Sequence, residues 1–548
     1  MNSLKPMLLS SLKNYDKSQF VKDVTAGIIV AIIALPLSIA LALASGVGPE
    51  AGIFTAIVAG FVISALGGSS VQIAGPTAAF ATIVAGIVAH DGMDGLIVAT
   101  ILAGIFLILM GLCHFGSLIK FIPFTITTGF TSGIAVTIVI GQLKDFFGLT
   151  FPTGVKPIET VEKFEAVINN FSTINMDAVI VGVVSLAILI IAPYIFKRIP
   201  GSLLAVIAGI LMVQFLPLKV NTIGNLYTIS NALPTLHFPS LSLNRIQNAL
   251  PNALTIAVLA AIESLLSCVV ADGMINGKHR SDMELVAQGA GNIASALFGG
   301  IPATGAIART AANIKNGGRT PIAGMVHSIT LVIVLVVLMP YAGMIPMPTI
   351  AAILFIVAYN MCQWRTFVNL VKTAPKSDII VLVTSFVLTV IFDLVVAIEV
   401  GMVLACLLFI KRMSEETKVN GWTYVDDDTP DVDEHLQKLP LQIRVYEISG
   451  PLFFGAAGVI EEIAVKDFTT CLVLRMRSVP ALDSTALNAL KDLVQVCESK
   501  GITIVFSHVN DQPMKVMEKA GFIELVGEEN FQPSISAALD RAEEIIHK

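Results

Sequence analysis

From about Val24 to Ile410 the chain is a succession of apolar runs, each roughly 20 residues long and separated from the next by short polar or Pro/Gly-rich breaks. A helix of that length matches the hydrocarbon thickness of a bilayer, so the pattern predicts an α-helical polytopic membrane protein. Composition agrees: 55% of the 548 residues are hydrophobic and 14% are charged, with a mean hydropathy of +0.81. The first run, 24–44, follows a polar, lysine-containing leader without a small-residue cleavage pattern, which argues against a removable signal peptide. The net charge of −6 arises largely after Thr417, and no basic footprint for nucleic acid is present.

The breaks divide the runs into seven spans, near 24–44, 50–66, 77–90, 95–112, 117–143, 177–196 and 202–217, and then seven more near 249–271, 283–298, 304–315, 321–339, 347–364, 377–393 and 394–411. A polar stretch from Lys219 to Arg245 separates the sets. The third and tenth spans are short and follow Gly/Pro breaks, Gly75-Pro76 and Gly299-Gly300-Ile301-Pro302, at the same ordinal place in each set. Paired interrupted helices are the sequence mark of a binding site between inverted repeats, and an odd number of spans per repeat gives the halves opposite orientations. Alternation from a cytoplasmic N-terminus puts Lys5, Lys13, Lys17, Lys22, Lys120, Lys197, Arg198, Lys278, Arg280, Lys315, Arg319, Arg365, Lys372, Lys376, Lys411 and Arg412 on one side and only Lys144, Lys156, Lys163, Lys219 and Arg245 on the other. That asymmetry places both termini in the cytoplasm, and the expected location of the spans is the inner (plasma) membrane.

The predicted organisation is therefore a cytoplasmic N-terminus (1–23), a first repeat (24–217), a second (249–412), an acidic linker (413–439) containing Asp426, Asp427 and Asp428, and a soluble α/β domain (440–548). In that domain strand-like runs at 441–448, 470–476 and 502–507 alternate with helical patterns at 459–465, 484–499, 513–520 and 534–546. The six cysteines, Cys113, Cys268, Cys362, Cys406, Cys471 and Cys497, lack metal-ligand spacing and read as small packed residues.

Ala34-Leu35-Pro36-Leu37-Ser38 in the first span, Gln72-Ile73-Ala74-Gly75-Pro76-Thr77-Ala78-Ala79-Phe80 before the third, and above all the stretch from Gly299 through Arg309 and Asn313 to Gly317-Gly318-Arg319-Thr320-Pro321, resemble the SulP anion transporters, whose animal relatives are the SLC26 proteins. Ile448-Ser449-Gly450-Pro451-Leu452-Phe453-Phe454-Gly455 and Val479-Pro480-Ala481-Leu482-Asp483-Ser484-Thr485-Ala486 resemble a STAS domain. The resemblance implies fourteen helices in two inverted seven-segment repeats, divided into a core (spans 1–4 and 8–11) and a gate (5–7 and 12–14), an elevator-type movement, and a homodimer. It also implies sulfate, bicarbonate, chloride or C4-dicarboxylate as substrate, a proton or alternatively Na+ as coupling ion with no other cofactor, and a possible cytoplasmic protein partner for the STAS domain. The sequences around Glu263, Asp272 and Lys278–Glu284 look most like the proton-coupled dicarboxylate carriers.

Two half-helices that begin inside the membrane would present unpaired N–H groups and the positive ends of their dipoles, an anion site that needs no basic side chain. Gln72, Thr77, Ala78 and Ala79 on one side and Thr304, Gly305, Ala306 and Ile307 on the other are its expected residues. The alternative is that Pro76 and Pro302 only kink two packed helices. Arg309, a basic residue deep in a span, either adds positive potential behind the anion or holds the core through a carbonyl or carboxylate. Glu263 lies in mid-span, where a carboxyl can carry a proton alongside the anion or serve as a structural partner of Arg309. Gln72 and Ser264 are either substrate ligands or network hydrogen-bonders. Asp393 and Glu399 read as loop caps. Ser484 matches the serine that accepts phosphate in soluble STAS proteins, or else it or Asp483 caps the next helix. No nucleotide-binding loop, catalytic triad or metal cluster is present, so the chain reads as a secondary transporter, with an anion channel or electromotile protein, or a membrane-anchored signalling protein, as the competing classes.

Overall fold

The computed structural model describes residues 4–117, 122–152, 157–195, 200–239, 242–392, 394–421, 439–463 and 468–547. Contacts divide the chain into two compact units, Met1–Met402 and Val403–Lys548.

Each expected span has a helix: in the first unit α1 (Lys17–Ala44), α2 (Pro49–Leu66), α3 (Ala81–Leu112), α4 (Phe124–Phe147), α5 (Met176–Ile195), α6 (Gly201–Phe215), α7 (Leu243–Ile275), α8 (Ser281–Leu297), α9 (Ile307–Lys315), α10 (Ile322–Ala342), α11 (Met347–Cys362), α12 (Trp364–Thr373) and α13 (Lys376–Ile391), and then α14 (Leu394–Glu416), which begins in the first unit and continues into the second. Spans three and four together form α3, which is interrupted at Gly92, whose φ of 70° only glycine adopts freely. α7 begins six residues before the expected position because Ser242 caps it, accepting from the Arg245 N–H. α12 is a short helix that the periodicity did not separate from its neighbours. Among the described residues, eight helices are long and apolar enough to cross a membrane.

Backbone and side-chain bonds collect the loops at two ends of the bundle. At one end the Met7 N–H bonds to the Gly67 carbonyl, Arg280 donates to the Lys5 and Pro6 carbonyls, and buried Asp23 accepts from the Arg319 N–H and the Thr320 hydroxyl. At the other, Ile223 and Gly224 bond to Ile345 and Gly343, His237 to Leu297, and Arg245 pairs with Asp94. The first end carries the lysine- and arginine-rich loops.

Packing falls into two groups. One comprises α1, α2, α3, α7, α8, α9 and α10, the other α4, α5, α6, α11 and α13, and they meet chiefly along α1. Within the first group α3 crosses α8 at Gly104 and Gly289, where an added Cβ on Gly104 would lie 2.6 Å from the Gly289 carbonyl oxygen. Small residues of this kind let helix backbones touch in a membrane.

The stretches before α3 and before α9 are not helical. Both are extended, and they pair antiparallel as β1 (Ala74–Gly75) and β2 (Thr304–Gly305), with Ala74 opposite Gly305 and Gly75 opposite Thr304. Backbone that leaves a helix within a membrane protein must find partners inside the protein, and each broken stretch supplies them to the other.

The second unit holds a five-stranded sheet in the order β3 (Lys418–Gly421), β4 (Ile443–Ser449), β5 (Cys471–Ser478), β6 (Thr503–Ser507), β7 (Phe531–Gln532), parallel except for β3. Both faces are covered. Leu472, Leu474 and Met476 of β5 pack toward the helix Ser484–Ser499, whereas Cys471 and Val473 pack toward the helix Ile535–Ile546, so the strand reads as a continuous apolar run. β3 corrects the expected linker, since its residues pair with Tyr446–Ser449. The pattern at 459–465 is realised as a 3-10 turn, Ala457–Glu462. Asp393, Asp426, Asp427, Asp428 and residues 464–467 lie outside the described residues.

Candidate functional site

The strand pair turns two helix N-termini toward one region. Thr77 is the N-cap of a 3-10 turn, Ala78–Phe80, that leads directly into α3, and Ala306 is the N-cap of α9; neither side chain caps its own helix. The first-turn N–H groups of Ala78 and Ala79 on one side, and of Ile307 and Ala308 on the other, therefore have no partner within their helices. Helix N-termini without caps are where anions bind. The Thr77 hydroxyl, a natural capping group, instead donates to Glu263 Oε2 at 3.0 Å. Glu263 and Thr77 are both half-buried, and Ile307 is 44% exposed, so this side of the strand pair is open. A cavity of about 280 Å³ lined by Thr82, Ile83, Gly86, Asn252 and Thr255, among others, lies against the N-terminal turns of α3 and the third and fourth turns of α7.

Not every expected donor remains available. The Gly305 N–H goes to Ser264 Oγ at 3.1 Å, Ser264 also meets Thr304 Oγ1 at 3.0 Å, and the Ala306 N–H goes to the Ile73 carbonyl at 2.9 Å. These three positions build the strand pair, and the free donors begin one residue later, at Ile307. Gln72 also differs from a ligand: it is buried, its Nε2 donates to Glu284 Oε1 at 2.6 Å, and its Oε1 accepts from the Cys268 thiol at 3.0 Å. Its amide lies against the Cα of Gly305, supporting β2 through Glu284 and Cys268.

The sulfate permease family matches residues 20–385, and the STAS domain matches 437–538. The chain belongs to the sulfate permease family. It is accordingly an anion transporter with a C-terminal STAS domain, and not an enzyme. It is 38% identical over 530 residues to the putative sulfate transporter YvdB of Bacillus subtilis, covering 95% of this chain and 97% of that one. It is 31% identical over 538 residues to the bicarbonate transporter BicA of Picosynechococcus sp., covering 95% and 94%. The structure of murine Slc26a9 superposes with a TM-score of 0.87 at 19% identity, over 99% of this chain and 94% of that one, which establishes the SLC26 fold.

In this sulfate permease fold Arg309 is buried, 1% exposed, with its guanidinium against Gly75. Nη2 donates to the Pro76 carbonyl at 3.2 Å and to Ser38 Oγ at 3.3 Å, while Nε and Nη1 have no hydrogen-bond partner among the described residues. No carboxylate pairs with it there, Glu263 included. The arginine thus stands behind β1 with charge uncompensated, and it ties α9 to the turn that starts α3.

Sequence reasoning missed the frame that holds both broken stretches, a polar stripe on α8. Glu284, fully buried, accepts from the Gly68 and Ser69 N–H groups (2.9 and 3.2 Å), from Gln72 and from Gln288. Two turns on, Asn292 donates to the Ala303 carbonyl and accepts from the Ala303 N–H, and Ser295 donates to the Ile301 carbonyl. Thr55 of α2 completes the frame, accepting from the Ile301 N–H at 2.7 Å. The signal was available: Glu284, Gln288, Asn292 and Ser295 recur at helical spacing in an apolar span.

In the STAS domain Asp483 caps the helix Ser484–Ser499, its Oδ1 accepting from the Ala486 N–H at 2.9 Å and its Oδ2 from the Phe454 N–H at 2.8 Å. Ser484 is exposed beside it. Burial pushes the Cys471 and Cys497 thiols up to about 12 and about 11, which makes both inert. Glu399 is exposed on α14.

Proposed function

We propose that the chain is a secondary active transporter of a small oxyanion, sulfate or a C4-dicarboxylate, driven by protons and working by an elevator movement of the first helix group against the second. The observation that carries this reading is the Thr77–Glu263 hydrogen bond, which places a carboxyl at the uncapped N-terminus of a half-helix. An oxyanion on the N–H groups of Ala78, Ala79, Ile307 and Ala308 would sit beside that carboxyl. Two unit charges of like sign 4 Å apart repel by about 4 kcal/mol at an effective dielectric of about 20. Protonating Glu263 removes the repulsion, so proton and anion help each other to bind. Arg309 adds positive potential from behind the strand pair. On this reading the protein is a homodimer in the inner (plasma) membrane with cytoplasmic termini, and the STAS domain, with Ser484 exposed, is its regulatory and partner-binding part.

A second reading is sodium-coupled bicarbonate transport, of which the 31% identity to the bicarbonate transporter BicA supports the substrate. Proteoliposome uptake of labelled sulfate, succinate and bicarbonate under imposed proton or sodium gradients separates the two. Proton-driven accumulation of sulfate or succinate supports the first, and a strict sodium requirement with bicarbonate supports the second. Large conductance without any gradient requirement would make the protein a channel.

A further inference from the structure

Helix α12 joins two spans at the lysine- and arginine-rich end of the bundle, after Gln363, which turns the chain with a φ of 44°. The helix is two-sided. Trp364, Val368 and Val371, one above another at helical spacing, are 46%, 39% and 40% exposed, while Arg365, Asn369 and Lys372 occupy its polar side. Phe367, next to the apolar stripe, packs on Phe386 of α13 with ring centroids 5.4 Å apart, which fixes the helix against the bundle. An amphipathic helix of this kind, between two spans, lies in the membrane–water boundary with its apolar stripe in the acyl layer.

Beside α12 runs an apolar groove of about 590 Å³, walled by Val136, Val139 and Ile140 of α4 and by Phe355 and Tyr359 of α11, and ended by Trp364. At that end Trp364 Nε1 donates to the Tyr359 hydroxyl at 3.4 Å, and the Arg365 guanidinium lies over the Trp364 ring at 5.6 Å. An aromatic pair with a polar edge under a cation is the arrangement found at headgroup level. Arg365, Lys372 and Lys376 are exposed, and among the described residues none is paired with a carboxylate. The acid of this stretch, Asp378, accepts from the Ser377 hydroxyl at 3.1 Å.

We infer that this groove and the three cations form a binding site for an anionic phospholipid, one acyl chain lying between α4 and α11 and the phosphate headgroup held by Arg365, Lys372 and Lys376. Charge complementarity selects the occupant: an apolar groove alone would take any acyl chain, whereas a groove that ends at Trp364 beneath Arg365, next to exposed Lys372 further along the same helix and Lys376 at the start of the next, favours a negative headgroup. Because α4 and α11 belong to the helix group against which the first group would move, a lipid there would set the rate of that movement. The binding itself is independent of which anion is carried and of what drives it.

The test uses the purified full-length chain in nanodiscs of phosphatidylcholine, titrated with phosphatidylglycerol, with bound lipid read by native mass spectrometry. Saturable retention of phosphatidylglycerol over phosphatidylcholine is expected. A triple Arg365→Ala/Lys372→Ala/Lys376→Ala variant should bind it about a hundredfold more weakly, about fivefold for each cation, and Val139→Trp, which fills the groove from its exposed wall, should abolish retention while leaving the far-ultraviolet circular dichroism unchanged. Equal retention of phosphatidylcholine, or unaltered affinity in the triple variant, would overturn the site. A loss of oligomeric state in Val139→Trp would show instead that a second copy of the chain fills the groove, which also overturns it. Since no transported anion enters the measurement, failure here leaves the transport reading standing, and failure of that reading leaves this result interpretable.

Discussion

Replacing Gly305 with alanine tests whether the strand pair is held by the α8 frame. A Cβ built on Gly305 would stand inside van der Waals contact of the Gln72 amide, touching Nε2 and Cδ and lying 2.8 Å from Oε1. A flexible side chain would swing away at little cost, but this amide is anchored at both ends, by Glu284 at 2.6 Å and by Cys268 at 3.0 Å. It must retreat by about 1 Å, which breaks a buried hydrogen bond to a carboxylate, or β2 must move instead; either costs about 2 kcal/mol. Gln72→Ala removes the same bond and also costs about 2 kcal/mol. In the double variant the new methyl enters the space that the amide vacates, so the combined loss should stay near about 2 kcal/mol rather than the additive value of about 4. Thermal-shift curves of detergent-purified proteins give the stability comparison, and anion uptake in proteoliposomes gives the functional one. Uptake should fall roughly tenfold or more in Gly305→Ala, because α9 and its N–H donors begin two residues later, and it should partly recover in the double variant. Additive destabilisation, or a Gly305→Ala protein as stable and active as wild type, would refute the proposed support of β2 by Gln72.

Glu263→Gln should retain counterflow exchange of the anion, since the amide resembles the protonated carboxyl, but should lose accumulation against a gradient. The wild-type rate should rise as external pH falls, because protonation from outside favours the anion-binding form, and the variant should lose this slope; undiminished proton-driven accumulation would refute the coupling role. Arg309→Ala should weaken anion binding about tenfold, as expected for loss of one nearby positive charge of about 1.4 kcal/mol, read by isothermal titration, and wild-type affinity would exclude the arginine from the site's field. Asp483→Ala removes the acceptor of two backbone N–H groups and should cost about 1 kcal/mol in the STAS domain, seen as faster amide exchange at Phe454 and Ala486. Cys471 and Cys497 should resist alkylation at pH 8 until the domain unfolds, and rapid labelling of either would contradict their burial.

The membrane architecture was legible because hydrocarbon imposes length and polarity on every span, and the paired Gly/Pro breaks were legible because helices cannot pass through them unaltered. The cap at Asp483 was legible for a similar reason, as it follows from a local backbone need. What a residue faces across the fold was not. Ala306 and Gly305 were expected to offer their N–H groups to an anion, yet the same extended geometry that brings two N-termini together consumes those groups in holding the pair. Gln72 likewise follows from α8: a buried Glu284 needs donors, two come from the Gly68 and Ser69 backbone, and the nearest side-chain amide supplies another. This division has a consequence for how such a site can vary. On the proposed reading the anion-facing donors are the backbone N–H groups of Ala78, Ala79, Ile307 and Ala308, which no substitution except proline removes, so changes of substrate preference would act chiefly through what displaces or charges them: Glu263 and Thr77 in front, Arg309 behind, and the α8 stripe that holds the two broken stretches.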